Sequence, residues 1–448
     1  MSVPRYDIVI VGGGAGGFTV ALTAKTIYKE KSVLLVTKEE KIVIPCAIPY
    51  VVKTIESLDR ALLPFDSLRK LGVDIVVDEV VDVDRKEKIV VTASGKRFGY
   101  DKLILALGGE PITPPIEGAD LKRVYRVYKG YAPVLELQKA LREANRVVII
   151  GGGFVGAELA DELADAGKSV TVVEMLPHCL LLNFDEEFAT RAEEELRKKG
   201  VKIITNATVK RIIGRDAVEA VELSTGEVIQ ADTVVIATGY RPSTKLAEKI
   251  GLAVSRYGIV VDSYMRTSDP DIFAVGDCAE KRHFLFGEPT PAQLASIACQ
   301  EARVAVLNLY GPQTSRRLDG WVGAFVTKIG NLVIGAVGTT ERIAKASGID
   351  CVVGRAKAVN RHPTWLPGGC EIDVKLLFMR NGLLIVAQEA GYCNEVAEII
   401  NALSMAIQNR MRIDEIITMQ FATHPKVTYS PVANPVILAA IDAYTKML

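Results

Sequence analysis

A chain of 448 residues, 49% hydrophobic and 24% charged, has room for about two to four globular domains. Its 54 Lys and Arg balance 54 Asp and Glu, so no basic excess points to nucleic acid and no polybasic block to an anionic membrane. No run of about 18 apolar residues exists to span a bilayer, and the scattered cysteines and isolated histidines offer neither a CxxC pair nor a metal-ligand spacing. The cysteines stand at 46, 179, 278, 299, 351, 370 and 393, an odd, unpatterned set that suits a reducing cytoplasm better than a disulfide framework. A strand begins almost at once and leaves no room for a signal peptide, which again predicts a cytoplasmic protein.

The first element, DIVIVGGGAGG at 7–17, is a β-branched strand running into G-x-G-x-x-G, with Gly12, Gly14 and Gly17 followed by the helical ALTAKTIYK. The first glycine permits a tight turn and the second lets backbone approach a pyrophosphate. The third packs helix on strand, so the helix N-terminus can hold the phosphates. The next strand, SVLLVTKEE, ends on Thr37 where such units carry an acidic ribose ligand, with Glu39 and Glu40 just beyond. Then comes KIVIPCAIPYVVK at 41–53, an apolar run that places Cys46 between Pro45 and Pro49. The prolines suit a helix start, and a helix N-terminus lowers a thiol pKa toward neutrality. YDKLILALGG at 100–109 is an apolar strand ending in a small-residue turn with Ala106 and Gly108.

A repeat follows. RVVIIGGGFVG at 146–156 places Gly151, Gly153 and Gly156 in the same strand–turn–helix context, with AELADELADAG as the helix. One such motif is weak evidence, but two in matching contexts predict two nucleotide folds. Here the following strand, SVTVVE, ends in Glu174. A carboxylate there accepts from a 2′-OH and repels a 2′-phosphate, favouring NADH over NADPH. ADTVVIATGYRPS at 231–243 closes this unit on a turn with Gly239, and TSDPDIFAVGDCAE at 267–280 is a strand ending in Gly276-Asp277. The remaining 319–448 alternates β-branched strands with the amphipathic stretch NEVAEIINALSMAIQNRM, an α+β pattern. Free cysteine is usually a small buried hydrophobe, the reading given to Cys179, Cys278, Cys299 and Cys351.

Along essentially its whole length this succession resembles the FAD-dependent pyridine nucleotide–disulfide oxidoreductases. The resemblance implies an α/β chain with two Rossmann-like nucleotide-binding domains, one for FAD and one for NAD, and a C-terminal α+β dimerisation domain. It divides the chain into a discontinuous FAD domain at 1–112 and 244–318, an NAD(P)H domain at 113–243 and a dimerisation domain at 319–448. It assigns Asp277 to the ribityl–phosphate region of FAD, and makes Ala15, Ala106, Gly108 and Gly239 further candidate cofactor contacts. Phe154 corresponds to an aromatic that swings aside for NADH, and Glu158 to a glutamate near the flavin edge.

Two-cysteine members of the family carry C-x4-C. Here Val51 stands where the second cysteine would be, so Cys46 resembles the redox thiol of the single-cysteine subfamily. That subfamily includes coenzyme A-disulfide reductases, persulfide and polysulfide reductases, NADH oxidases and NADH peroxidases, and CAIPYV is close to the coenzyme A-disulfide reductase form. Oxygen-reducing members carry a histidine where this chain has Ala15. The tyrosine pair of coenzyme A-disulfide reductases is replaced by Trp365 and Leu366 in TWLPGG, while His424-Pro425 resembles the acid–base histidine of two-cysteine members. Tyr429 falls at the position of that histidine's carboxylate helper. These motifs predict a homodimeric NADH-dependent reductase of a small disulfide, CoA-disulfide, persulfide or polysulfide, using Cys46, His424 and Tyr429. Its rivals are an NADH oxidase, a reductase of a rubredoxin-like carrier and a non-catalytic FAD module.

Overall fold

The computed structural model of the protein describes residues 3–311 and 317–448. Two compact units emerge: one takes the chain up to Pro114, Tyr125–Glu143 and Thr238–Trp321, the other Pro115–Val124, Ala144–Ala237 and Val322–Leu448. Among the described residues no helix is long and apolar enough to cross a membrane.

In the first unit the β-branched runs form a sheet in the order Val73–Val77, Val33–Thr37, Arg5–Val11, Arg97–Leu105, Ile89–Thr92, Val80–Asp84, with Ile272–Ala274 also pairing to Arg97–Leu105. The strands around the first glycine turn are parallel, with Ile8 level with both Val33 and Lys102. Such strands are buried on both faces, which is why they read as continuous Val, Ile and Leu rather than as an alternation. Helices Ala15–Ile27 and Ala295–Leu307 cover one face through Val20, Ala24, Ala302 and Val306; Tyr100, Leu252 and Ile259 belong to the core on the other. Helix Tyr131–Glu143 belongs to this unit although 113–243 is expected to fold as one domain. Gln138 donates to the carbonyl of Val51 at 2.6 Å, and Arg142 reaches those of Val52 and Glu56 at 3.1 and 2.8 Å.

The second unit repeats the parallel order with Lys202–Ile204, Ser169–Val173, Arg146–Ile150 and Thr233–Ile236. It also holds an antiparallel sheet in the order Phe325–Ile329, Leu332–Gly338, Leu384–Gly391, Glu371–Met379, Cys351–Val359. Helices Glu395–Gln408 and Pro435–Thr445 pack on it with Val396, Ile400 and Ala439 buried.

One feature overturns the expectation drawn from cysteine count. Cys370 and Cys393 form a disulfide with Cα atoms 6.1 Å apart. The register explains it: Ile372 faces Gly391 across two antiparallel strands, so two residues further out on each strand Cys370 meets Cys393. Their 23-residue separation matches no motif, and only the pairing of the strands brings them together.

Candidate active site

The first glycine turn is closed from beneath and open above. Gly12 has φ +105°, and a side chain there would strike the carbonyl of Ala106. Gly17 lies on the carbonyl of Gly12 with no room for a methyl, which seats the helix against the strand. By contrast, a Cβ on Gly14, Gly108 or Gly239 would meet nothing within 4 Å. Helix Ala15–Ile27 starts from Gly14 with no side-chain cap, so its first-turn N–H groups are left for another acceptor. Thr37 is buried against Gly13 and donates to the carbonyl of Glu39 at 3.3 Å, so its hydroxyl is part of the wall.

Asp277 sits in the turn Gly276–Cys278, its Cβ 3.4 Å from where a side chain on Gly109 would stand. Its carboxylate accepts from Lys129 at 2.5 Å, and that ammonium lies 4.2 Å over the ring of Tyr240. Beneath the turn, Glu301 accepts from the amide of Gly276 at 2.7 Å, while Lys281 donates to the carbonyls of Gly276 and Ala279 and pairs with Glu301 at 3.3 Å. Both members of this pair are almost wholly buried. Nothing in the motifs marks Lys129, Lys281 or Glu301; only the fold brings them to the Gly276-Asp277 turn.

The segment 41–53 answers whether Cys46 is packing. It forms a 3₁₀ turn, Pro45–Tyr50, rather than the expected α-helix start, too short to carry much dipole. Ile48, Pro49, Val51 and Val52 are buried, yet Cys46 is exposed with its thiol outside any disulfide. A cysteine exposed on this turn, while the residues one helical turn further on go into the core, is not filling the core. Val51 is 0% exposed, so the place of a second cysteine is a core position.

In the second unit the glycine turn has the same build, with Gly156 on the carbonyl of Gly151 and open space at Gly153. Glu174 is held by the turn itself: the amides of Gly152 and Leu176 donate to its two oxygens at 2.7 and 2.8 Å. Each oxygen keeps a lone pair for a further donor. Phe154 stacks on Phe325 at 5.3 Å and meets Phe184 edge-on at 6.0 Å. Glu158 accepts from Thr327 at 2.8 Å.

Burial pushes the Glu158 carboxyl up from 4.5 to about 7, against the Thr327 bond that lowers it and with Asp161 adding to the rise. A carboxyl that holds its proton more tightly folded than unfolded makes folding take up a proton between those two values. The contribution of Glu158 to stability therefore falls as pH rises from about 4.5 to about 7 and is flat above. Glu158→Gln is expected to remove up to about 3 kcal/mol of this slope, read as the difference in thermal midpoint between parent and variant from pH 4.5 to 8. Parallel curves would refute it.

Near the C-terminus His424 is exposed and Tyr429 buried. The amide of Lys426 donates to His424 Nδ1 at 3.3 Å, which leaves the proton of the neutral ring on Nε2. The Tyr429 hydroxyl makes no hydrogen bond, and burial drives its pKa far up, so it stays neutral. Beside it electrostatically is Glu389, fully buried with neither oxygen partnered and pushed well above the usual carboxyl range by that burial. No motif flagged Glu389, which follows Gln388 in the buried strand Leu384–Gly391.

A family model described as pyridine nucleotide-disulphide oxidoreductase matches residues 6–302, and the dimerisation-domain model of the same name matches 325–434. The chain belongs to this family. The pyridine nucleotide-disulphide oxidoreductases account for both nucleotide folds and for the C-terminal sheet, and membership makes the chain an enzyme of NAD(P)H-dependent flavin chemistry. It is 37% identical to the NADH oxidase of Methanocaldococcus jannaschii over 98% of this chain and 99% of that one. It is 32% identical to the CoA-dependent NAD(P)H sulfur oxidoreductase of Pyrococcus abyssi over 97% and 98% of the two chains. Among solved structures, an NAD-dependent persulfide reductase from A. fulgidus superposes with a TM-score of 0.89 at 31% identity, covering 98% of this chain and 83% of that one. The open space at Gly14, Gly108 and Gly239 and the uncapped helix fit the phosphate tail of a flavin nucleotide.

Proposed function

We propose that this chain is a homodimeric, cytoplasmic NADH-dependent FAD enzyme that reduces a small disulfide, CoA-linked disulfide, persulfide or polysulfide through Cys46. The observation that carries the reading is the turn Pro45–Tyr50, where Cys46 is exposed while Ile48, Pro49, Val51 and Val52 are buried, with Val51 in the place of a second cysteine. FAD is assigned to 1–112 and 244–318, the nicotinamide cofactor to 113–243, and pairing of two copies to 319–448. When bound, the two cofactors supply the hydride chemistry.

The residues of the chain do the rest. The amides at the start of Ala15–Ile27 hold phosphate, and Gly14, Ala15, Ala106, Gly108 and Gly239 leave the cofactor room. Asp277, fixed by Lys129 and by the ion pair beneath it, accepts from flavin side-chain hydroxyls. Glu174 accepts from ribose hydroxyls and disfavours a 2′-phosphate. The Cys46 thiolate attacks one sulfur of the substrate, forming a mixed disulfide and releasing the other half as a thiolate. In its imidazolium form, His424 of the partner subunit donates a proton to that leaving thiolate, and buried Tyr429 supports the turn that carries it. The overall reaction is RSSR′ + NADH + H⁺ → RSH + R′SH + NAD⁺.

A second reading, an NADH oxidase, is favoured by the Methanocaldococcus relative of that name. Ala15 opposes it, since a methyl neither donates a hydrogen bond nor supplies a proton to reduced oxygen. Steady-state NADH consumption separates the two. With coenzyme A disulfide or polysulfide under argon, turnover is expected to exceed that with air-saturated buffer by tenfold or more. The reverse order would transfer the assignment to the oxidase.

A further inference from the structure

We propose that Cys370–Cys393 is a second thiol-exchange site of this protein, which low-molecular-weight thiols open and whose oxidised form clamps the two C-terminal loops that carry His362 and His424. The bond lies where strand Glu371–Met379 begins and just before helix Glu395–Gln408, outside the sheet core. Both cysteines are only half-buried, and Cys370 Sγ lies in exposed surroundings beside the carbonyl of Glu371. A bridge placed there is open to attack by a thiolate, unlike the sulfurs of Cys179 and Cys278 in the core.

What the bond holds is specific. Residues 361–369 form a loop whose stem is Asn360 and Cys370: the Asn360 amide donates to the Cys370 carbonyl at 3.0 Å, and the Cys370 amide donates to Asn360 Oδ1 at 2.8 Å. Asn360, itself 1% exposed, donates from Nδ2 to Glu395 at 3.1 Å, on the helix that follows Cys393. The disulfide therefore adds a covalent link between the loop stem and the helix start to the Asn360–Glu395 hydrogen bond and the Ile372–Gly391 strand pairing beside it. The loop in turn grips the segment around His424. The His362 amide donates to the Pro425 carbonyl at 3.1 Å, His362 Nδ1 lies 3.3 Å from the Thr428 carbonyl, and Thr428 Oγ1 accepts from the His424 amide at 2.9 Å.

The clamped arrangement also carries a cost. In the same unit both oxygens of Glu389 and the hydroxyl of Tyr429 are buried without a hydrogen bond. Unpartnered buried polar atoms disfavour the state that contains them. Loosening the loops would let water reach Tyr429, so opening the bond releases a state that the covalent link helps to hold.

The exchange balances without any unnamed reagent. A thiolate RS⁻ attacks Cys370 Sγ, the Cys370–Cys393 bond breaks, and Cys393 leaves as a thiolate that takes a proton from solvent. A second RS⁻ attacks the R-bearing sulfur of the mixed disulfide, giving RSSR and the Cys370 thiolate. Net, one protein disulfide and two RSH become a dithiol and RSSR. Thiols of this class are the products of the reaction proposed above, so the link to turnover rests on that reading, whereas the opening of the bond does not.

The test treats the full-length flavin-loaded protein with graded dithiothreitol or coenzyme A, alkylates it with iodoacetamide, and follows amide hydrogen exchange. Cys370 and Cys393 are expected to become alkylated together. Exchange at 361–369 and 424–428 should rise tenfold or more, with the sheet amides of 372–379 unchanged. Cys370→Ser should exchange fast without any thiol, and Cys46→Ser should respond like the parent, which separates this site from the reaction proposed at Cys46. Two results would overturn the proposal: a bond that millimolar thiol leaves closed, or one that opens while exchange in both loops stays at its original rate. Comparison of oxidised and reduced parent protein keeps the test valid even if the serine variant folds poorly.

Discussion

Cys46→Ser is expected to lose disulfide or polysulfide reduction by about a thousandfold or more while NADH still reduces the bound flavin at the parent rate. Oxygen and sulfur are close in size and Cys46 is exposed, so the substitution leaves the packing of Ile48, Pro49 and Val51 untouched. What it removes is chemistry: a serine hydroxyl is neither ionised near neutral pH nor able to form an S–S bond, so the mixed disulfide cannot arise. Anaerobic stopped-flow spectroscopy reads flavin reduction and a disulfide assay reads turnover. Full activity in the variant would sink the assignment. Moving the thiol is no remedy, because a cysteine at Val51 would lie at a position that is 0% exposed.

Lys281→Met should destabilise the chain by about 3–5 kcal/mol and weaken flavin retention. Lys281 and Glu301 are almost wholly buried, and Glu301 also accepts from the Gly276 amide at 2.7 Å. Removing the ammonium leaves a carboxylate in the core and frees the carbonyls of Gly276 and Ala279 that Lys281 caps. Gly276 has φ +75° and precedes Asp277, so slack there reaches the residue assigned to the flavin. Burial already pushes the Glu301 carboxyl up, with Lys281 pulling against it. Without Lys281 the acid can adapt by taking a proton, so the deficit should shrink as pH falls. Denaturant unfolding at two pH values, together with flavin content after gel filtration, measures both effects. A change within about 0.5 kcal/mol, the range of an ordinary surface substitution, would show that the pair is incidental.

The legible part of this protein was local. Gly12, Gly17, Gly151 and Gly156 stand where backbone must touch backbone, so strand, turn and helix follow from a few adjacent letters. Glu174 stood out because it ends the strand after a glycine turn, and Cys46 because it follows the first nucleotide unit, where the resembling subfamily carries its redox thiol. Residues whose meaning comes from distant partners could not be read. Lys281 and Glu301 are 20 positions apart on different elements, and Lys129 reaches Asp277 across 148. The Cys370–Cys393 bond needs the strand register, and nothing in LIVAQEAG at 384–391 marks Glu389 as an acid buried without a partner. The helix expected at Cys46 failed for a local reason. Pro49 lacks an N–H and stands inside the segment, so the chain manages only a 3₁₀ turn.

Glu174 is a strut and is also proposed as a gatekeeper. One oxygen braces the second glycine loop through Gly152, the other accepts from the Leu176 amide beyond the strand, and the same oxygens are the proposed acceptors for a ribose. On that proposal, selectivity and scaffold are written in one side chain. Any lineage or engineer exchanging one dinucleotide for its phosphorylated form must first find another brace for the loop. A change of taste here is a change of architecture, reachable only by several coordinated substitutions.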